Sequence, residues 1–361
     1  MLARATLTID LGKIEDNARR VVAALPGVDV VGVTKVTCGT PEVARAMLAG
    51  GVTALGESRL ENAQRLRDAG VEAPIWLIRA PTPDLADDAV RLVDVSAISE
   101  LAIARALDSA AASAGRRHAI IAMVDIGDRR EGMLPSELPA FLSAVEALSH
   151  IDVAGIGASL TCYGAIVPDA ANLGLLASLG EAAEKQLGRR LTLSGGSSTS
   201  IDPLLHGRVP AAIDNLRIGE AIVLGVDPAT RLPIPGLDLH TDALTLAVPV
   251  IECAVKPSMP AGTSAQDAFG TTPTFVDRGV RLRAICALGR QDAPAEGLTP
   301  LDSRVEVLGA SSDHLVLDVD ALPEPPAIGD AIEFRPGYSA TLGLFTSGYV
   351  DKRFVSTRSV R

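Results

Sequence analysis

The chain reads as an α/β barrel of the TIM type followed by an all-β C-terminal domain. From about residue 28 to about residue 225, short β-branched runs alternate with helical periodicity, the pattern of parallel strands joined by crossover helices. Eight such runs occur, the number that closes a barrel. Beyond about Asp238 the pattern changes to successive strands separated by Pro/Gly-rich turns such as Lys256 to Gly262.

The expected barrel strands are Val30 to Lys35, Thr53 to Gly56, Ile75 to Arg79, Leu92 to Val95, His118 to Asp125, Val153 to Ser159, Leu191 to Ser194 and Ile213 to Ile218. Between the sixth and seventh, Asp169 to Leu187 places Leu173, Leu176, Ala183 and Leu187 at helical spacing. The later strands are expected at Ala243 to Cys253, Arg281 to Leu288, Val305 to Leu308, His314 to Val319 and Ala331 to Phe334. The alternating opening, Ala3 to Ile9, adds one strand to that β-domain. Residues 10–235 are thus expected to form the barrel, and residues 1–9 with 236–361 the β-domain.

Composition narrows the function. The formal net charge is −11, from 33 basic and 44 acidic residues, with no Lys/Arg run that would mark a nucleic acid or an anionic membrane as partner. Neither a signal-peptide pattern nor an uninterrupted apolar span is present, so the expectation is a cytoplasmic protein. Cys38, Cys162, Cys253 and Cys286 are widely spaced, which indicates neither a disulfide framework nor a structural metal site.

Lys35 is the most informative residue. It closes the apolar run Val30-Val31-Gly32-Val33-Thr34 in a chain that has only four other lysines, Lys13, Lys185, Lys256 and Lys352, all in polar contexts. A desolvated lysine loses its proton more readily and can add to a carbonyl, so Lys35 is a candidate Schiff-base residue; a strand-end lysine that snorkels to water is the plainer alternative.

A barrel places its chemistry at the carboxyl ends of its strands. Small and polar residues gather at those ends in Asp125-Ile126-Gly127-Asp128-Arg129-Arg130, Ser159-Leu160-Thr161-Cys162-Tyr163-Gly164, Ser194-Gly195-Gly196-Ser197-Ser198-Thr199-Ser200 and Arg217-Ile218-Gly219-Glu220. The last two segments offer converging backbone N–H groups where barrels commonly hold a phosphate, although such clusters also form ordinary turns. A carbonyl-binding lysine and a phosphate cradle on one rim imply pyridoxal 5'-phosphate (PLP). Other chemistries fit less well: Gly155-Ile156-Gly157 lacks the third glycine of a dinucleotide fingerprint, and no Gly-x-Ser-x-Gly elbow or paired-histidine metal motif occurs.

Six segments together resemble the alanine-racemase-like enzymes of PLP fold type III, and within them the ornithine racemase branch. They are Val31 to Gly39, Leu55 to Asn62, Val124 to Gly132, Leu160 to Gly164, Leu216 to Ala221 and Gly309 to His314, in the family's order over nearly the whole length. The resemblance implies a PLP-binding barrel with a C-terminal β-domain, in a homodimer whose sites the partner completes. Lys35 matches the Schiff-base lysine and one-face base, and Arg217 the arginine at the pyridine nitrogen. Ser198, with the Gly219 and Glu220 amides, matches the phosphate-binding positions, Tyr349 resembles a phosphate-contacting tyrosine, and Arg130 matches a substrate-orienting arginine.

The departures matter as much. Where alanine racemase presents a tyrosine base, this chain has Phe269-Gly270, and phenylalanine carries no proton. The opposite-face base is then sought among Asp267, Asp313, His314, Cys162 and Tyr163, with Asp267 sharing a strand face with Phe269 if that segment is extended. Cys162 takes the place of a ring-contacting histidine. Asp267 and Asp313 also supply the carboxylates that the distal ammonium of a cationic amino acid substrate would need, with His314 a substrate-binding candidate beside Asp313, which favours ornithine over alanine. A related decarboxylase is disfavoured because its Cys-Glu pair falls on Gly309 and Ala310; a non-catalytic PLP carrier lacks the β-domain; and a D-amino-acid aldolase would need a metal near His314.

Overall fold

In the computed structural model, residues 4–357 are described. They form two units, one spanning Leu11–Thr241 and one combining the N-terminal segment through Asp10 with Asp242–Thr357. The first strand, β1 (Thr6–Asp10), belongs to the latter.

The unit Leu11–Thr241 is a closed parallel barrel of eight strands: β2 (Asp29–Val33), β3 (Ala54–Glu57), β4 (Ile75–Leu77), β5 (Val95–Ile98), β6 (His118–Met123), β7 (Ile151–Gly157), β8 (Thr192–Ser194) and β9 (Asn215–Ile218). Each strand pairs with the next, and β9 closes on β2 with Val31 opposite Arg217. The strands are apolar on both faces because helices cover the outside while side chains such as Ile121 and Met123 fill the inside with Trp76.

All eight expected strands overlap those observed, but the fourth, expected at Leu92 to Val95, shares only Val95 with the strand found at Val95–Ile98. Leu92 instead ends the helix Ala86–Leu92 and is buried with Val93, so its apolarity reports helix packing. The true strand was masked by Ser96, which is buried and bonded to His118 Nε2 at 2.9 Å.

The expected helix at Asp169 to Leu187 is present as Ala170–Leu187. Asp169 caps it, its carboxylate accepting the Ala171 and Asn172 N–H groups at 2.8 Å, while Asn172 Oδ1 accepts the Asp169 N–H at 2.9 Å. Its inner face buries Leu173, Leu176 and Ala183, and Gly180 permits close approach to β8, since a Cβ there would lie 2.4 Å from Leu193.

The second unit is built on β10 (Leu244–Pro257), β11 (Val280–Cys286), β12 (Leu298–Pro300), β13 (Glu306–Ala310), β14 (Leu315–Asp318), β15 (Ala331–Pro336) and β16 (Asp351–Val355). The long β10 pairs with β15 and β1 through its first half and with β11 through its second, with a register shift between Val250 and Glu252. β12 and β16, and the helix Tyr338–Thr346, were not expected from the sequence. Among the described residues no helix is long and apolar enough to cross a membrane.

Candidate active site

Lys35 follows the end of β2 after one intervening residue, Thr34, and opens a single helical turn, Lys35–Thr37. The turn closes through Cys38 and Gly39, both left-handed with φ of 52° and 61°. It is half-buried, between the buried Thr34 and Val36.

On the adjoining strand β9, Arg217 is buried, at 7% exposure. Its guanidinium donates to Ser194 Oγ, to the Ala158 carbonyl at 2.7 Å and to Ser159 Oγ at 3.3 Å. Burial pushes its pKa down to about 10, so it stays charged at neutral pH.

The two loops read as a phosphate cradle lie side by side. Ser198 is buried and its Oγ accepts the Ala221 N–H at 3.1 Å, linking the loop after β8 to the start of the helix Glu220–Leu224. Gly219 is required for close approach: a Cβ there would meet the Val33 carbonyl at 2.9 Å, two residues before Lys35. Gly196 is buried and has φ of +109°, a conformation that L residues avoid. Glu220 is largely buried, which raises its carboxyl pKa, while Arg231 beside it and the charge of Lys35 act in the opposite direction. A small anionic group with an aldehyde would meet a lysine, buried donors and a glycine cradle on one rim, and these residues fit PLP.

A second cluster forms at the ends of β6 and β7. Arg130 pairs with Glu131 through two hydrogen bonds. Burial raises the Glu131 carboxyl pKa, but the bonds from Arg130 and one from Ser159 outweigh it and hold the group below its usual range. Ser159 also accepts from Arg217, and Cys162 adjoins Arg130, so Arg130, Glu131, Ser159, Cys162 and Arg217 are one connected group. The buried Asp128 carboxylate accepts the Tyr163 and Gly164 N–H groups at 3.1 Å and fastens these two loops together.

The remaining candidates lie in the second unit. Asp267 does not share a strand face with Phe269: residues 268–269 form a turn. The Asp267 carboxylate is engaged in it, accepting the Phe269 and Thr271 N–H groups at 2.9 and 2.8 Å, because a short acid two residues before a turn amide bonds to the backbone locally. Asp313 and His314 sit in the exposed turn between β13 and β14, where Ser312 Oγ donates to Asp313 at 2.7 Å and the His314 N–H donates to Ser311 Oγ at 3.2 Å. Arg290 joins these loops, its guanidinium 5.2 Å from the Phe269 ring centre and its Nε donating to the Ala310 carbonyl at 3.2 Å. Tyr349 precedes β16 and is 65% exposed.

Glu131, Asp128 and Glu57 were not singled out from the sequence. Glu131 had one signal, an acid beside the candidate Arg130; Asp128 and Glu57 had none beyond lying at strand carboxyl ends.

Residues 9–227 match the family described as alanine racemase, N-terminal domain. The chain belongs to the alanine racemase family. It is 41% identical over 352 residues to the lysine racemase of Thermotoga maritima, covering 96% of this chain and 97% of that protein. It is 36% identical over 353 residues to the ornithine racemase of Acetoanaerobium sticklandii, covering 97% and 99%. Among solved structures, the alanine racemase of Clostridium difficile 630 superposes with a TM-score of 0.74 at 16% identity, covering 98% of this chain and 96% of that one, and shows the same fold. The expected family, fold class and enzyme class, an amino acid racemase, all hold.

Proposed function

We propose that the chain is a PLP-dependent racemase of a free basic amino acid, with ornithine and lysine as its substrates. The observation that carries this is the pairing of β2 with β9, which brings the turn opened by Lys35 and the buried Arg217 to adjoining positions in the barrel, next to Gly219 and Ser198. Two relatives matched over nearly their whole length, a lysine racemase and an ornithine racemase, support the substrate class.

When bound, PLP supplies an electron sink for the bond to the substrate α-hydrogen. Lys35 holds the cofactor and exchanges a proton at Nζ on one face of the α-carbon. Arg217, held by Ser194 and the Ala158 carbonyl, would take the pyridine nitrogen of bound PLP, where its permanent charge would disfavour protonation of that nitrogen and favour proton exchange over bond rearrangement. Ser198 and the Gly219 and Glu220 amides would take the phosphate, and Tyr349 is assigned to it by the family resemblance alone. Arg130, oriented by Glu131, receives the substrate carboxylate.

Cys162, adjoining Arg130, is the candidate for the opposite-face proton within the barrel; Asp313 is the candidate in the second unit, where it and His314 receive the distal ammonium. With its carboxylate committed to a turn, Asp267 is a weaker candidate for either role. By the same family resemblance the working assembly is a homodimer, in which a second copy supplies the β-domain loops. Lys35→Ala tests the core of this reading. It is expected to lose both the absorbance of lysine-bound cofactor and all turnover of L-ornithine and L-lysine, whereas wild-type turnover in that variant would refute it.

A further inference from the structure

Glu57 ends β3 and is fully buried, at 0% exposure, yet it has no place in the chemistry above. Its carboxylate is met only by donors: Thr34 Oγ1 at 2.5 Å, Asn62 Nδ2 at 2.9 Å and the Ser58 backbone N–H. Burial raises its pKa, and the three hydrogen bonds with the Arg65 charge work against that rise. An ionisable group fully inside a barrel is costly, and an apolar side chain would fill the same volume more cheaply.

Two of the partners of Glu57, Thr34 and Asn62, lead to the turn that carries Lys35. Thr34 precedes Lys35 and is tied to β3 a second time, its N–H donating to the Gly56 carbonyl at 3.1 Å. Asn62 donates to Glu57 and accepts from Arg65 Nη1 at 3.0 Å, and the same Arg65 nitrogen donates to the Cys38 carbonyl. Asn62 also packs so tightly on Gly39 that a Cβ there would lie 2.9 Å from the Asn62 carbonyl. The Thr34 carbonyl meanwhile accepts Thr37 Oγ1 at 3.0 Å and the Gly39 N–H at 3.2 Å. The turn is therefore clasped at its start through Thr34 and at its end through Cys38, and Glu57 is the node that joins the two sides.

We propose that Glu57 is a positioning residue for Lys35: its carboxylate holds Thr34 and Asn62 together and so fixes the direction in which the lysine enters the barrel mouth. This rests on the reading of Lys35 as the cofactor lysine. A glutamine keeps the volume but removes the charge and turns one acceptor into a donor: facing Asn62 it opposes the amide N–H, and facing Thr34 it forces the hydroxyl to turn from donor to acceptor. Exchanging the groups, as Glu57→Gln with Asn62→Asp, restores one carboxylate and one amide at the node.

The test uses the full chain prepared without cofactor and reconstituted with PLP. Borohydride reduction followed by peptide mass analysis locates the attachment. The rise of the lysine-bound absorbance after PLP addition gives the attachment rate, and kcat and KM are measured with L-ornithine and L-lysine. For Glu57→Gln the expected result is attachment still at Lys35, formed at least tenfold more slowly, with kcat reduced about tenfold and KM within threefold of wild type. The exchange variant should recover most of both rates, and it provides the same readouts if Glu57→Gln alone does not fold. A Glu57→Gln protein that is less heat-stable but has wild-type attachment rate and kcat would overturn the proposal, as would an exchange variant that folds and recovers neither rate. Attachment of PLP in the wild type at a residue other than Lys35 would overturn the functional reading itself, and this proposal with it.

Discussion

The chemistry at the barrel mouth depends on how single charges are compensated. Glu131 lies between two guanidiniums, bonded to Arg130 and linked through Ser159 to Arg217. Glu131→Gln removes the negative charge and leaves Arg130 without a fixed direction, so kcat/KM for a basic amino acid should fall roughly tenfold or more, with Glu131→Asp recovering part of the loss. Steady-state kinetics of the two variants checks this; wild-type kcat/KM in Glu131→Gln would show that the pair is only a surface ion pair. His118 is a second residue whose charge state matters. It is buried against Ser96 with its Nδ1 lacking a hydrogen-bond partner, and burial pushes its pKa down to about 4. Below pH 6.5 the unfolded histidine takes up a proton that the folded one refuses, so this group's contribution to stability falls as pH is lowered toward 4. Between pH 7 and pH 5 the loss amounts to about 2 kcal/mol. Urea unfolding at the two pH values should therefore show a smaller pH dependence in His118→Gln than in the wild type, and equal dependence would mean the imidazole does not resist protonation.

At the scale of elements, the strands and helices were legible wherever periodicity and capping agreed. Asp169 at the head of an apolar-periodic stretch marked the helix Ala170–Leu187, and Asp169→Ala should lower stability by about 1 kcal/mol, measured by chemical denaturation. Gly219, which the sequence reading assigned to a phosphate cradle, has no room for a side chain beside the Val33 carbonyl. Gly219→Ala should weaken PLP binding by tenfold or more in a fluorescence titration while leaving the barrel folded, because the added methyl group must displace backbone at the cradle. What escaped the sequence were elements defined by tertiary pairing. β12 spans only Leu298–Pro300 and exists because β15 lies beside it. Asp267 looked like a strand residue by alternation, but its carboxylate captured the amides of the next turn. The partners of Glu57 escaped for a related reason: Thr34, Asn62 and Arg65 meet only when β2, β3 and the following helix are assembled.

For the whole molecule, the order of six motifs carried the family, and a closed barrel with the Lys35 turn after β2 and Arg217 on the adjoining β9 gives that order a geometric meaning. Substrate choice was the least legible feature, since the acidic candidates Asp313 and Asp267 lie in turns of the second unit, where local bonding competes with any role toward a ligand. The most direct measurement is incubation of the PLP-loaded protein with single L-amino acids in deuterated water, following loss of the α-proton by NMR and the enantiomer content by chiral chromatography. Racemisation through Lys35 predicts that ornithine and lysine exchange the α-proton and accumulate the D-form toward an equal mixture, far faster than alanine does. Loss of the carboxylate, or no α-proton exchange with any basic amino acid, would contradict it.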